Sequence, residues 1–278
     1  MNAEIYYFSG TGNSLFAAKE IARKINAKLV SIPSVIEEKH IRTEAEAAGI
    51  VFPVYYATND SGIPLIIRRF IQKLENLNSK YIFAVATCGS MPGTTIENLA
   101  KLVKSQGGEL AAGFTLKMNN ETLSQQKQDK ALARQKEKLD VICKYVSSRK
   151  KGKLETRGTM RKIVLAPLLH LAIKPAFSRR YRKLSGSPSS PFSELIPIAD
   201  RSFSVDEKCS SCGTCAQVCP VNNIKLVDGR PLWQHHCETC LACYSWCPQA
   251  AIGGEIVSYN TRHHHPTVKL TDMLKTKQ

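Results

Sequence analysis

Short apolar runs and helical spacings alternate through the first 150 residues. Ile5–Phe8 is an apolar run that ends in the loop Ser9-Gly10-Thr11-Gly12-Asn13-Ser14. Leu15, Phe16, Ala18, Ile21, Ala22 and Ile25 then recur at helical spacing, which predicts a helix over Asn13–Ile25. Leu29–Ile32, Ala47–Val54, Tyr81–Thr87 and Leu110–Met118 are further runs of strand length. Helical periodicity returns over Pro64–Leu74 and Thr95–Ser105, and a long charged helix is predicted from about Gln125 to Arg149. Strands that are apolar throughout belong to a parallel sheet covered on both faces. Alternation with helices then predicts a doubly wound α/β domain with a five-stranded parallel sheet over residues 1–150.

The pattern changes at 151–200. Ile163–Ile173 is apolar apart from Pro167 and His170, and Ser185–Pro191 reads as a turn or linker. This connector holds ten Lys or Arg against three Asp or Glu, whereas 201–254 has four of each. The chain's net charge of +16 is therefore concentrated outside its Cys-rich part. An acidic redox partner suits that surplus, as does compensation of a negatively charged metal centre. No nucleic-acid motif accompanies the charge, so nucleic acid is not expected. A membrane-surface helix over 161–183 is the alternative to a packed connector helix, and packing is the favoured reading. No run reaches the length of a bilayer span. The start, Met1-Asn2-Ala3-Glu4, lacks a basic segment followed by an apolar one, which leads to the expectation of a cytoplasmic protein.

Eight of the ten cysteines fall between 209 and 247, and only Cys88 and Cys143 lie elsewhere. In a reducing compartment such clustering argues for metal ligation rather than disulfides. The run Cys209-x2-Cys212-x2-Cys215-x3-Cys219-Pro220 recurs as Cys237-x2-Cys240-x2-Cys243-x3-Cys247-Pro248, offset by 28 residues. Three thiolates separated by two residues each can reach three corners of one cubane from a tight loop. A structural zinc ribbon uses pairs of CxxC, not two triplets each followed by Cys-Pro. A three-iron form of one cluster has the same spacing. The repeat resembles the bacterial two-cluster ferredoxins, in which the fourth cysteine of each run ligates the other cluster. That resemblance implies two [4Fe-4S] clusters over 201–254. Cys209, Cys212, Cys215 and Cys247 would hold the first; Cys219, Cys237, Cys240 and Cys243 would hold the second.

The Ser9–Ser14 loop offers hydroxyls and backbone N–H groups to a phosphate at a helix N-terminus. It has neither the Gly-Lys-Ser/Thr ending of a nucleotide-hydrolysing P-loop nor GxGxxG. As the first βα turn of a five-strand pattern it resembles the phosphate loop of the flavodoxin family, whose strand order is 2-1-3-4-5 and which binds FMN. The resemblance implies phosphate contacts from Ser9, Thr11, Gly12, Asn13 and Ser14. It also implies flavin-ring contacts from Pro53, Val54, Tyr55 and Tyr56 after the third strand, and from Thr87, Cys88 and Gly89 after the fourth. The last loop departs from the family in having no aromatic or acidic residue near Cys88. Cys88 reads as a small loop residue and Cys143 as a packing residue.

The order flavodoxin-like domain, basic connector, two-cluster ferredoxin is similar to the flavodoxin–ferredoxin fusions called EFR-type ferredoxins. Members look like anaerobic electron-transfer proteins, which implies electron exchange between the clusters and FMN with a redox protein as partner. Two other classes compete: a flavin-dependent reductase of a small molecule, with Tyr55 or Tyr56 as proton donor, and a ferredoxin whose flavodoxin-like domain has lost its flavin. No general acid, base or nucleophile stands out, so no catalytic residue is assigned. His263-His264-His265 reads as a solvated or partner-facing run, because adjacent residues of an extended segment point in alternating directions. His235 and His236 precede Cys237 and are candidates for hydrogen bonds near the second cluster. Residues 255–278 read as a strap without chemistry.

Overall fold

The computed structural model describes residues 2–89, 91–118, 124–155, 171, 173–258 and 260–274. The chain forms two compact units. The first comprises Met1–Ala57, Ser61–Gly158 and His265–Val268; the second comprises Thr58–Asp60, Thr159–His264 and Lys269–Gln278.

In the first unit, β1 (Ala3–Tyr7), α1 (Asn13–Ile25), β2 (Lys28–Ser31), the short α2 (Ile32–Val35), β3 (Ala47–Pro53), α3 (Leu65–Lys73), β4 (Tyr81–Cys88), α4 (Thr95–Ser105), β5 (Leu110–Lys117), α5 (Gln125–Ser147) and β6 (Lys153–Leu154) follow in order. The strands form one parallel sheet ordered β2-β1-β3-β4-β5-β6. Every residue of β4 is buried, as is every residue of β3 except Pro53. This is the condition of central strands roofed on both faces. α1 packs with α5, and α3 with α4. Phe8, Phe52, Phe70, Phe83 and Phe114 fill the core without exposure, each contributing about 1.5–3 kcal/mol on burial.

The first five strands have the order expected of a flavodoxin-like sheet, but the sheet has six strands, not five. β6 lies within the basic connector and pairs with Ala112 and Gly113 of β5. Glu155 fixes this edge: its carboxylate accepts the Thr115 N–H at 3.0 Å and faces Lys138 Nζ at 2.5 Å.

The second unit opens with two helices from the same connector, α6 (Lys174–Ser185) and α7 (Phe192–Ile198). They pack through Phe177, Tyr181 and Phe192, whose ring centroids lie 5.0–5.9 Å apart. The apolar stretch Ile163–Ile173 lies outside the described residues, apart from 171 and 173. No described helix is long and apolar enough to cross a membrane.

The Cys-rich repeat then builds β7 (Phe203–Val205), α8 (Thr214–Gln217), β8 (Ile224–Val227), β9 (Arg230–Trp233), α9 (Ala242–Ser245) and β10 (Ile252–Gly254). The strands form two antiparallel pairs, β7 with β10 and β8 with β9. A short α10 (Leu270–Leu274) completes the unit. The 28-residue repeat extends to the backbone. α9 stands 28 positions after α8, and Ser211, Gly213 and Asn222 share positive φ with Thr239, Leu241 and Ala250, each 28 positions later. Non-glycine residues seldom adopt that conformation, so its recurrence at three matched positions marks the same chain path wound twice.

Candidate functional site

Both sets of cysteine loops are short turns wrapped around thiols. Cys209, Cys212, Cys215 and Cys247 line one cavity, together with Leu226 and Ile252. Cys215 has the thiols of Cys247 and Cys212 as neighbours. Cys219 interacts with Cys240 and Cys243, and Cys237 with those same two. The fourth cysteine of each run thus lies with the first three of the other run. Cys243 also senses Cys215, so the two groups of thiols are neighbours within the module. Ile224, Trp233 and Ile252 pack around Cys215, Cys219 and Cys243 as one apolar cluster, and Trp233 stacks on Phe203 at 4.9 Å.

Burial sets the chemistry of these thiols. It pushes Cys215 up to about 11 and Cys240 up to about 12, and carries Cys237 and Cys243 well above the ordinary thiol value. The exposed Cys212 goes the other way, because the Thr214 hydroxyl, 3.3 Å from its sulfur, favours the thiolate. Buried thiols of this kind release their protons only to a cation that replaces the lost hydration. Two backbone amides already aim at sulfur: Asn223 N–H donates to Cys219 Sγ and Thr239 N–H to Cys237 Sγ, both at 3.2 Å. The donor set, its grouping and its N–H···S bonds fit iron–sulfur clusters.

A polar network that spacing did not disclose supports the second group. Asp200, 1% exposed, accepts from Asn223 Nδ2 at 2.8 Å and from the His235 amide at 3.1 Å, and lies 2.7 Å from His235 Nδ1. Asn223 Oδ1 accepts from the His236 amide at 2.7 Å. The histidine pair therefore anchors the segment entering Cys237. Asp200 has no acidic neighbour within five residues on either side, and no local pattern marks it.

In the first unit, the candidate loops follow the carboxyl ends of three adjacent strands, β1, β3 and β4. Gly12 caps α1 with φ +87°, a left-handed value, and Phe16 N–H donates to its carbonyl at 2.9 Å. The first turn of α1 carries no acidic residue, while Arg23 and Lys24 lie in its last turn. That polarity leaves the N-terminus open to an anion. Ser9, Thr11 and Asn13 are half-buried, with Asn13 Nδ2 donating to Thr11 Oγ1 at 3.3 Å. Ser14 is fully buried and its hydroxyl faces Thr87 at 2.7 Å, so from Ser14 the backbone amide is the group left for a phosphate.

Val54 N–H donates to the Thr87 carbonyl at 2.8 Å, which joins the β3 and β4 loops. Pro53, Val54, Tyr55 and Tyr56 are half-buried, and neither tyrosine enters the core. Tyr55 meets Phe8 edge-on at 6.3 Å, and Tyr56 has φ +55°. Gly89 is exposed; Cys88 is buried as the last residue of β4, and burial raises its thiol above the ordinary value despite Lys117. Neutral donors and half-exposed aromatic rings at adjoining strand ends suit a phosphate joined to a flat aromatic group.

Residues 202–257 match the family described as the 4Fe-4S dicluster domain. The first unit has the parallel strand order β2-β1-β3-β4-β5 of a flavodoxin-like sheet. Among solved structures, Streptococcus pneumonia TIGR4 flavodoxin is similar at 18% identity over 51% of this chain and 99% of that one, with a TM-score of 0.36. Two-electron reduced Megasphaera elsdenii flavodoxin is similar at 17% identity over 49% of this chain and 98% of that one, with a TM-score of 0.33. Rubredoxin oxygen:oxidoreductase from the anaerobe Desulfovibrio gigas is similar at 16% identity over 53% of this chain and 36% of that one, with a TM-score of 0.36. No curated protein matches the sequence.

Proposed function

We propose that the chain is a flavodoxin–ferredoxin fusion and an electron-transfer iron–sulfur flavoprotein, in which two [4Fe-4S] clusters exchange electrons with FMN. The grouping of Cys247 with the first run's three thiols, and of Cys219 with the second run's, carries this reading. Clusters supply one-electron chemistry, and FMN when bound exchanges electrons singly or in pairs. The chain's own groups do the rest. Cys209, Cys212, Cys215 and Cys247 hold one cluster, and Cys219, Cys237, Cys240 and Cys243 hold the other. The amides of Asn223 and Thr239 donate to ligand sulfur and stabilise its negative charge. The amides after Gly12, with Ser9, Thr11 and Asn13, bind the flavin phosphate, and the β3 and β4 loops flank the ring.

The redox partner is an acidic protein. Exposed Arg179 and Arg182 on α6 offer charge complementary to it. Purification under strict exclusion of oxygen tests the cofactors. We expect about eight iron and eight sulfide per chain, as two four-cysteine cubanes require, with FMN released by acid. Zinc in place of iron, or protein that stays colourless after reconstitution with iron, sulfide and FMN, would refute the proposal.

A further inference from the structure

The four residues His265–Val268, far along the chain from the phosphate loop, belong to the first unit and lie against that loop. His265 N–H donates to the Thr11 carbonyl at 2.9 Å. The His265 ring stacks on Phe16, in the first turn of α1, at 4.2 Å and 16°. Val268 N–H donates back to the His265 carbonyl at 3.1 Å, closing a turn. Within this turn Thr267 supplies its amide and hydroxyl to His265 Nδ1, at 3.3 and 3.0 Å. A Cβ at Gly12 would stand 3.1 Å from Val268 and 3.4 Å from His265, so the segment meets the loop at its left-handed residue. His265 is 1% exposed and Val268 4%. The expectation of a solvated histidine run does not hold for His265.

We infer that His265–Val268 is a clamp that sets the phosphate loop for flavin, with His265 as its positioning residue. The inference rests on the FMN reading above. In a planar trans peptide the C=O and the following N–H point in opposite directions. Holding the Thr11 carbonyl on the clamp's side therefore turns the Gly12 amide the other way, and the first amides of α1 that follow it lack intrahelical partners. The ring stack on Phe16 and the Val268 contact with Gly12 fix the two residues that flank those amides. A loop ordered before the anion arrives loses less entropy on binding, which shows as tighter affinity and slower release. The clamp touches the phosphate side alone, so it distinguishes FMN from riboflavin, which has no phosphate.

The test uses the full-length, cluster-loaded protein stripped of flavin and titrated with FMN and with riboflavin. His265→Ala should weaken FMN binding about tenfold, a change of loop preorganisation, and leave riboflavin affinity and iron content unchanged. His265→Asn, whose Oδ1 can accept from the Thr267 amide, should recover part of the FMN affinity. If the wild type binds no FMN, the flavin reading itself fails. If the wild type binds FMN and His265→Ala binds it equally well, or loses FMN and riboflavin alike, the clamp is overturned. Should His265→Ala fail to fold, Val268→Ala decides: weaker FMN binding with riboflavin unchanged supports the clamp, and unchanged FMN binding overturns it.

Discussion

Ser14 and Thr87 meet hydroxyl to hydroxyl at 2.7 Å, with both side chains buried. The contact pins the first turn of α1 to the carboxyl end of β4, and Thr87 Oγ1 also lies 3.4 Å from the Phe52 carbonyl of β3. The Ser9–Ser14 loop and the loops after β3 and β4 are therefore held by one interior hydrogen-bond chain. Thr87→Val keeps the shape but removes the hydroxyl, leaving Ser14 buried without its partner. An unsatisfied buried hydroxyl costs about 1–3 kcal/mol. We expect a loss of that size in urea unfolding of the first unit. The pair Ser14→Ala with Thr87→Val should recover part of it, because neither hydroxyl is then stranded. Additive losses in the double variant would count against the coupling.

Asn223 links Cys219 to Asp200, since its amide serves the sulfur and its side chain serves the carboxylate. Asp200→Ala strands the buried Asn223 Nδ2, at about 1–3 kcal/mol, and removes the acceptor of the His235 amide. The damage is local to the group of Cys219, Cys237, Cys240 and Cys243. Iron release to a chelator under anaerobic conditions should then become biphasic, with one half of the iron leaving faster. Uniform acceleration of all the iron, or none, would show that the network does not serve one cluster.

The parts legible in the sequence are those with a local signature. β3 and β4 are buried along nearly their whole length, so each reads as an unbroken apolar run. The cysteine groups are legible because a 28-residue repeat carries both cysteines and turns. β6 escaped because an edge strand of two residues, Lys153 and Leu154, needs no apolar run and sits amid basic residues. Asp200 and His265 escaped for another reason. Their burial comes from partners distant in sequence, His235 for the first and Thr11 and Phe16 for the second. Strand order, likewise, is a property of pairing between segments and leaves no mark within any one of them.

Glu155 gives the first unit a defined acid limit. Burial alone would raise its carboxyl, but Lys138 and the Thr115 amide outweigh that and hold it below the ordinary value of 4.5. A depressed folded value means that the native state binds this proton more weakly than the unfolded chain does. The stabilisation is therefore present above pH 4.5 and is lost as the pH falls through the folded value. Glu155→Gln should lower stability at pH 7 and flatten the decline below pH 4.5, where the wild type converges on the variant. Denaturant titrations at pH 7, 5 and 3.5 measure this, and a variant that parallels the wild type across the range would remove Glu155 from the account.

Cys88 and Cys143 are the two cysteines outside the 209–247 repeat, and both are buried. Burial raises Cys88, and it pushes Cys143 up to about 11 against the opposing charge of Lys24. Because the thiolate is the nucleophile, and a group titrating near 11 is ionised in roughly one molecule in ten thousand at pH 7, both should resist alkylation. Iodoacetamide applied to the cluster-loaded protein at pH 7.5, followed by peptide mass analysis, should leave Cys88 and Cys143 unmodified until denaturant is added. Rapid labelling of Cys88 in the native protein would mean an accessible thiolate at the end of β4, and a redox thiol would then replace the reading of Cys88 as a small loop residue.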